Sequence, residues 1–217
     1  MVRRIAVRDG QAVPVGGLPA VFDSGQGGLL DVMVPRDFAD SRAVWLSFAV
    51  AVPGGAATAV GSGRLSPDGR RLDGFTLHWQ GQGVGGGRHF GSRLVEGLDG
   101  TVFVTTGDRG TGPGGMEAQD PMRPEGKVIR LNRDGSPAAA FPGHAPGVHS
   151  IGHRNPQGAA LDGQGNLWLV EHGAQGGDEF GKELAEVAGE FADAGRPGVR
   201  PTPGRRSRLG LASRQPL

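Results

Sequence analysis

The sequence has no cysteine, no long apolar run and almost no net charge. Without cysteine there are no disulfides and no thiolate metal sites, although no compartment follows from that. Crossing a bilayer as a helix takes roughly 20 consecutive apolar residues. No window approaches that, so no membrane partner is expected. Residues 1–10 also lack the apolar core, about 7–15 residues long, that a secretory signal needs. As written, the chain reads as soluble, without an export signal of its own, and cytoplasmic. A net charge of +1 over 217 residues gives no reason to expect nucleic acid, despite a locally basic end.

Glycine (42) and proline (16) are abundant, together more than a quarter of the chain. That composition raises the possibility of disorder, but strand-like apolar runs between the glycine clusters argue against it for most of the length. Residues 43–50, 101–106 and 166–170 are β-branched and aromatic enough for buried strands. The last two follow the turn signals Asp99-Gly100 and Asp162-Gly163-Gln164-Gly165.

The turns recur. Arg64-Leu65-Ser66-Pro67-Asp68-Gly69 returns 66 residues later as Arg130-Leu131-Asn132-Arg133-Asp134-Gly135, and Leu98-Asp99-Gly100 returns 63 residues later as Leu161-Asp162-Gly163. An earlier Asp9-Gly10 precedes Asp68-Gly69 by 59. Asp-Gly is a common hairpin turn, so coincidence is one reading. A period near 60 with several strands each is the other, and it points to β-propeller blades. Residues 184, 187, 188 and 191 fall at helical spacing. From Gly195 the chain is Arg, Pro, Gly and Ser with few apolar residues, so residues 183–217 are expected to form a divergent, disordered tail after a β domain over 1–182.

Three glycine-rich stretches carry more chemistry than folding needs: Gly87-Arg88-His89-Phe90-Gly91-Ser92-Arg93-Leu94, Gly152-His153-Arg154-Asn155-Pro156-Gln157-Gly158, and Glu171-His172-Gly173-Ala174-Gln175-Gly176-Gly177-Asp178-Glu179. Histidine titrates near neutrality, arginine pairs with planar anions, and exposed carbonyls can hold a hard cation. Together they suggest catalysis on an anionic cofactor. Each stretch also has a plainer reading. A lone histidine in a glycine loop is commonly a surface residue, Asn155-Pro156 can simply start a turn, and Asp178-Glu179 can be solvated acid. His149 and His153, four apart, lack the third ligand that zinc would need.

At these stretches the chain resembles the soluble pyrroloquinoline-quinone-dependent sugar dehydrogenases, the aldose and glucose/sorbosone dehydrogenase family. Residues 25–31, Ala118-Gln119-Asp120 and residues 126–131 match further family stretches in the same order, over about residues 3–180. The resemblance implies an all-β fold, a six-bladed propeller of which about three blades' worth is present here. It implies the quinone and Ca2+ as cofactors, an aldose sugar as substrate and an external electron acceptor. His89 is implied as the base that takes the C1 hydroxyl proton, and Arg154 as the cation facing the quinone oxygens. Gln26, Asn155 and His172 are implied as cofactor contacts. Gly173 and Ala174 are implied as calcium ligands through their backbone carbonyls, with Asp178 and Glu179 at the acidic end of that loop. Family members are periplasmic or secreted. Half a ring exposes strand edges, so self-association is a further expectation, as is an inactive fragment. Two other functions stay open: a calcium-dependent sugar lactonase, and a non-catalytic propeller scaffold.

Overall fold

A computed structural model of the protein describes residues 2–6, 8–111, 113–138, 141–173 and 178–183. It opens with a hairpin of β1 (Val2–Ile5) and β2 (Ala12–Val15), closed by the Asp9-Gly10 turn. Three antiparallel sheets follow in sequence order. The first holds β3 (Leu29–Met33), β4 (Ala43–Val52), β5 (Gly55–Leu65) and β6 (Leu72–Gln80), with a short helix α1 (Phe38–Ser41) between β3 and β4. The second holds β7 (Leu94–Glu96), β8 (Val102–Thr105), β9 (Lys127–Leu131) and β10 (Val148–Ile151). The third holds β11 (Pro156–Leu161), β12 (Leu167–Glu171) and β13 (Glu179–Glu183). In every sheet each strand pairs with the next one along the chain.

The three strands expected from composition are present as β4, β8 and β12. The repeated turns fall at equivalent places. Asp68-Gly69 joins the third and fourth strands of the first sheet, and Asp134-Gly135 opens the same connection in the second. Asp99-Gly100 and Asp162-Gly163 each join a first strand to a second. The carboxylates explain the recurrence. Asp68 accepts from the Ser66 hydroxyl and the Arg70 amide, Asp134 from the Ser136 amide and hydroxyl, and Asp99 from the Thr101 amide and hydroxyl. Gly69 and Gly135 take φ of 71° and 87°, which a side chain would strain. Of the expected helical stretch, Glu183 ends β13, and residues 184–217 lie outside the described residues.

Sheets pack face to face in chain order. Met33, Trp45 and Val60 of the first sheet meet Leu94, Val102, Val104, Ile129, Leu131 and Val148 of the second in one core. Phe103 and Val128, on the opposite face of the second sheet, meet Leu167 and Leu169 of the third. The middle sheet is therefore buried on both faces, which is why β8 is apolar or buried at all four positions. The hairpin closes the other side, with Val15 packed on Val44, Leu46, Phe48 and Leu72. Each fully buried Val, Leu, Ile or Phe contributes about 1.5–3 kcal/mol. The first strand β7 touches both β3 and β11, so the first strands gather on one side and the sheets fan out from them. Successive propeller blades are arranged this way.

Candidate functional site

In a meander of antiparallel strands, the segment entering the first strand and the link from second to third strand lie at the same end. That geometry gathers the candidate residues. Gln26, His89, and Arg154 with Asn155 precede β3, β7 and β11 respectively. Asp108 follows β8, and His172, Gly173 and Asp178 follow β12.

His89 is the centre of the arrangement. Its Nδ1 lies 2.7 Å from Asp108 Oδ1, and the two side chains are only 13% and 9% exposed. Asp108 is fixed in turn: its Oδ1 accepts the Gly110 amide at 2.7 Å, and its own amide donates to the Arg154 carbonyl at 2.8 Å. A carboxylate only accepts, so in the neutral ring the proton sits on Nδ1 and the Nε2 lone pair is left for other work. Among the described residues nothing pairs with Nε2. His89 has φ 54°, a left-handed conformation uncommon outside glycine.

The neighbouring entry loops lock that conformation. Gln26 Oε1 accepts the His89 amide at 2.7 Å, and Asn155 Oδ1 accepts the Gly91 amide at 3.1 Å. Asn155 is 3% exposed, so its carboxamide oxygen braces the loop from within. Gly107 lies under His89: a Cβ there would stand 2.0 Å from the His89 carbonyl oxygen. Only glycine permits that approach.

Arg154 is half-buried. Its amide donates to Glu171 Oε2 at 2.8 Å, and its Nη1 donates to the His172 carbonyl at 2.9 Å. Beneath it the buried Glu171 lies 3.3 Å from His153 Nδ1, and His153 Nε2 meets Ser150 Oγ at 2.7 Å. His172 is exposed, with Nε2 3.1 Å from Gln157 Oε1 and Nδ1 3.5 Å from Asp178 Oδ1. Asp178 Oδ1 also accepts the Gly173 amide at 3.4 Å. Glu179 opens β13 opposite Glu171 and is thus in a strand. Ala174 lies outside the described residues, and among those described no group of three or more His, Asp or Glu could hold a metal.

The structure thus brings together Gln26, His89, Arg154, Asn155 and His172, and adds Asp108, Glu171 and Arg109, whose Nε donates to the Arg88 carbonyl at 2.8 Å. The sequence signal for Asp108 and Arg109 was present: Gly107-Asp108-Arg109-Gly110 is a charged pair between glycines directly after an apolar strand. Glu171 stood inside a dense stretch without a role. Chemically, the end of the sheets presents an oriented imidazole, an arginine, and an amide whose oxygen is already committed. Those groups suit a planar polyanion beside a proton donor.

The profile of the glucose/sorbosone dehydrogenase family matches residues 2–184. The chain belongs to that family. It is 43% identical over 179 residues to the aldose sugar dehydrogenase YliI of Escherichia coli strain K12, covering 79% of this chain and 47% of that protein. A crystal structure of a glucose dehydrogenase superposes with a TM-score of 0.77 at 41% identity, over 84% of this chain and 54% of that one. The PQQ-bound form of an aldose sugar dehydrogenase from Streptomyces coelicolor superposes with a TM-score of 0.71 at 29% identity, over 83% and 53%. The fold is part of the family's β-propeller, and the chain spans about half the length of the relatives it matches. No helix among the described residues is long and apolar enough to cross a membrane.

Proposed function

We propose that this chain carries the proton-accepting half of a pyrroloquinoline-quinone-dependent aldose dehydrogenase, which oxidises the C1 hydroxyl of an aldose to the lactone. The observation that carries the reading is the His89–Asp108 pair, set between the Gln26 amide and the Arg154 loop. When bound, the quinone supplies the two-electron acceptor for the hydride that leaves C1, and an external acceptor later takes the electrons.

The chain's own part is proton handling and orientation. His89 Nε2 receives the C1 hydroxyl proton. Asp108 keeps Nδ1 protonated, holds the ring's direction and balances the imidazolium that forms. Arg154, with only Nη1 engaged among the described residues, can pair with an anionic cofactor edge. Gln26 commits its oxygen to the His89 amide, so its NH2 is the group turned to a ligand. His172 flanks the same surface. Asn155 acts from beneath through Gly91.

Calcium is part of the proposal, held by the carbonyls of Gly173 and Ala174. Main-chain oxygen is a suitable donor for a hard cation. Asp178, which accepts the Gly173 amide, fits the role of bracing Gly173, and Glu179 follows it into β13. A periplasmic or secreted location and self-association through exposed sheet edges accompany this reading as proposals.

The test is a titration of pyrroloquinoline quinone into the 217-residue chain with and without calcium, then dye reduction with a panel of aldoses. Calcium-dependent saturable binding is expected, and His89→Gln is expected to bind the quinone yet lose turnover. A folded chain that never saturates with quinone overturns the proposal. Full turnover by His89→Gln removes the assigned base.

A further inference from the structure

Behind His89 the main chain is clamped by a residue that faces no solvent. Arg109 is 4% exposed, and its φ of 57° is left-handed like the 54° of His89. Non-glycine residues are strained there and persist only where their surroundings fix them. Arg109 Nε donates to the Arg88 carbonyl at 2.8 Å, gripping the residue before His89. Its guanidinium carbon sits 3.7 Å from the ring centroid of Phe90, the residue after His89. Its Nη1 donates to the Ala56 carbonyl at 2.8 Å, near the start of β5, which ties the clamp to the neighbouring sheet. From the same strand Thr58 Oγ1 donates to the Phe90 carbonyl at 2.8 Å.

We propose that Arg109 is the positioning residue of His89. Its planar fork and its stacking on Phe90 hold the main chain on both sides of the base, in the one left-handed turn that aims Nδ1 at Asp108. Burial pulls its pKa down to about 10, and the charges of Glu125 and Asp108 act against that, so it remains a cation at neutral pH. Thr58, Arg109 and Glu125 line one small cavity under the loop. A lysine could keep the charge but not two directed N–H groups and a stacked plane. The catalytic consequence rests on the dehydrogenase reading; the positioning itself does not.

The experiment is long-range proton–nitrogen NMR of the full chain labelled with 15N-histidine, with His89→Gln for assignment, comparing wild type, Arg109→Met and Arg109→Lys. At a pH high enough to hold the histidine rings neutral, wild-type His89 is expected in a single tautomer with the proton on Nδ1. In both variants that signal is expected to give way to an averaged two-tautomer pattern, while the other histidine signals stay in place. A single His89 tautomer retained in both variants overturns the proposal. Loss of fold in both also overturns it, because Arg109 is then a core residue only. This readout needs neither quinone nor sugar. In turnover assays on the same proteins kcat is expected to fall roughly 10–100-fold with the sugar KM little changed. If wild type oxidises no aldose, the dehydrogenase reading falls, and the tautomer still decides the role of Arg109.

Discussion

His89 and Asp108 meet at 2.7 Å although they come from different loops of one sheet, the first entering β7 and the second leaving β8. The contact sets the tautomer and the ring plane together. Asp108→Asn keeps the shape but offers the ring a partner that can donate as well as accept. The expected result is a loss of kcat on the order of 1,000-fold with quinone affinity little changed. Dye-linked aldose oxidation alongside a binding titration checks it, and wild-type turnover in the variant removes Asp108 from the mechanism.

Gly107→Ala puts a methyl group 2.0 Å from the His89 carbonyl oxygen and 3.1 Å from that of Arg154. Both atoms are backbone, so no side chain can swing away. The substitution is expected to cost about 3 kcal/mol of stability and to lower turnover in whatever protein still folds. Urea unfolding measures the first effect. A variant as stable as wild type contradicts the close approach.

Asp31 ties the first strands of two sheets together. Its carboxylate accepts the Leu94 amide at 2.9 Å and Arg93 Nη1 at 3.0 Å, while Arg93 Nε reaches on to the Gln157 carbonyl within β11. Asp31→Ala leaves the Leu94 amide without its acceptor, at an expected cost of about 2 kcal/mol. Most of that comes from the amide, since the arginine is partly exposed and its pairing is screened. Unfolding midpoints compared with Arg93→Met, which keeps the Leu94 amide hydrogen bond but loses the arginine's bonds to both Asp31 and Gln157, set an upper bound on the arginine's share. The arginine variant is expected to lose less.

Acid is expected to weaken the fold before its carboxylates titrate. His149 packs edge-on to Phe103 at 5.1 Å, and its pKa is pushed down to about 4, first by burial and then by the charges of Arg130 and His153. Burial lowers His78 as well. An unfolded histidine titrates near 6.5, so between about 6.5 and 4 the unfolded chain binds a proton that the folded chain refuses. Stability present above that window is lost as pH falls through it, on the order of 3 kcal/mol for His149. Urea midpoints at several pH values should fall across the window for wild type and more gently for His149→Gln. Parallel slopes refute the assignment.

The sequence by itself determined the parts that depend on local chemistry. Asp-Gly pairs mark turns because a short carboxylate accepts the amides ahead and glycine tolerates a left-handed φ. Their spacing near 60 therefore exposed the repeat, and the apolar runs placed β4, β8 and β12. The glycine-rich stretches placed His89 and Arg154 in loops for the same reason. Tertiary structure decided what those residues do. Asp108 faces His89, Asn155 turns inward to Gly91 instead of outward, and Arg109 grips both neighbours of the base. Gln26 to His89 and Gly91 to Asn155 are contacts across 63 and 64 residues. Such partners are set by how sheets stack and which ends of their strands coincide, and no local pattern in the chain encodes that proximity.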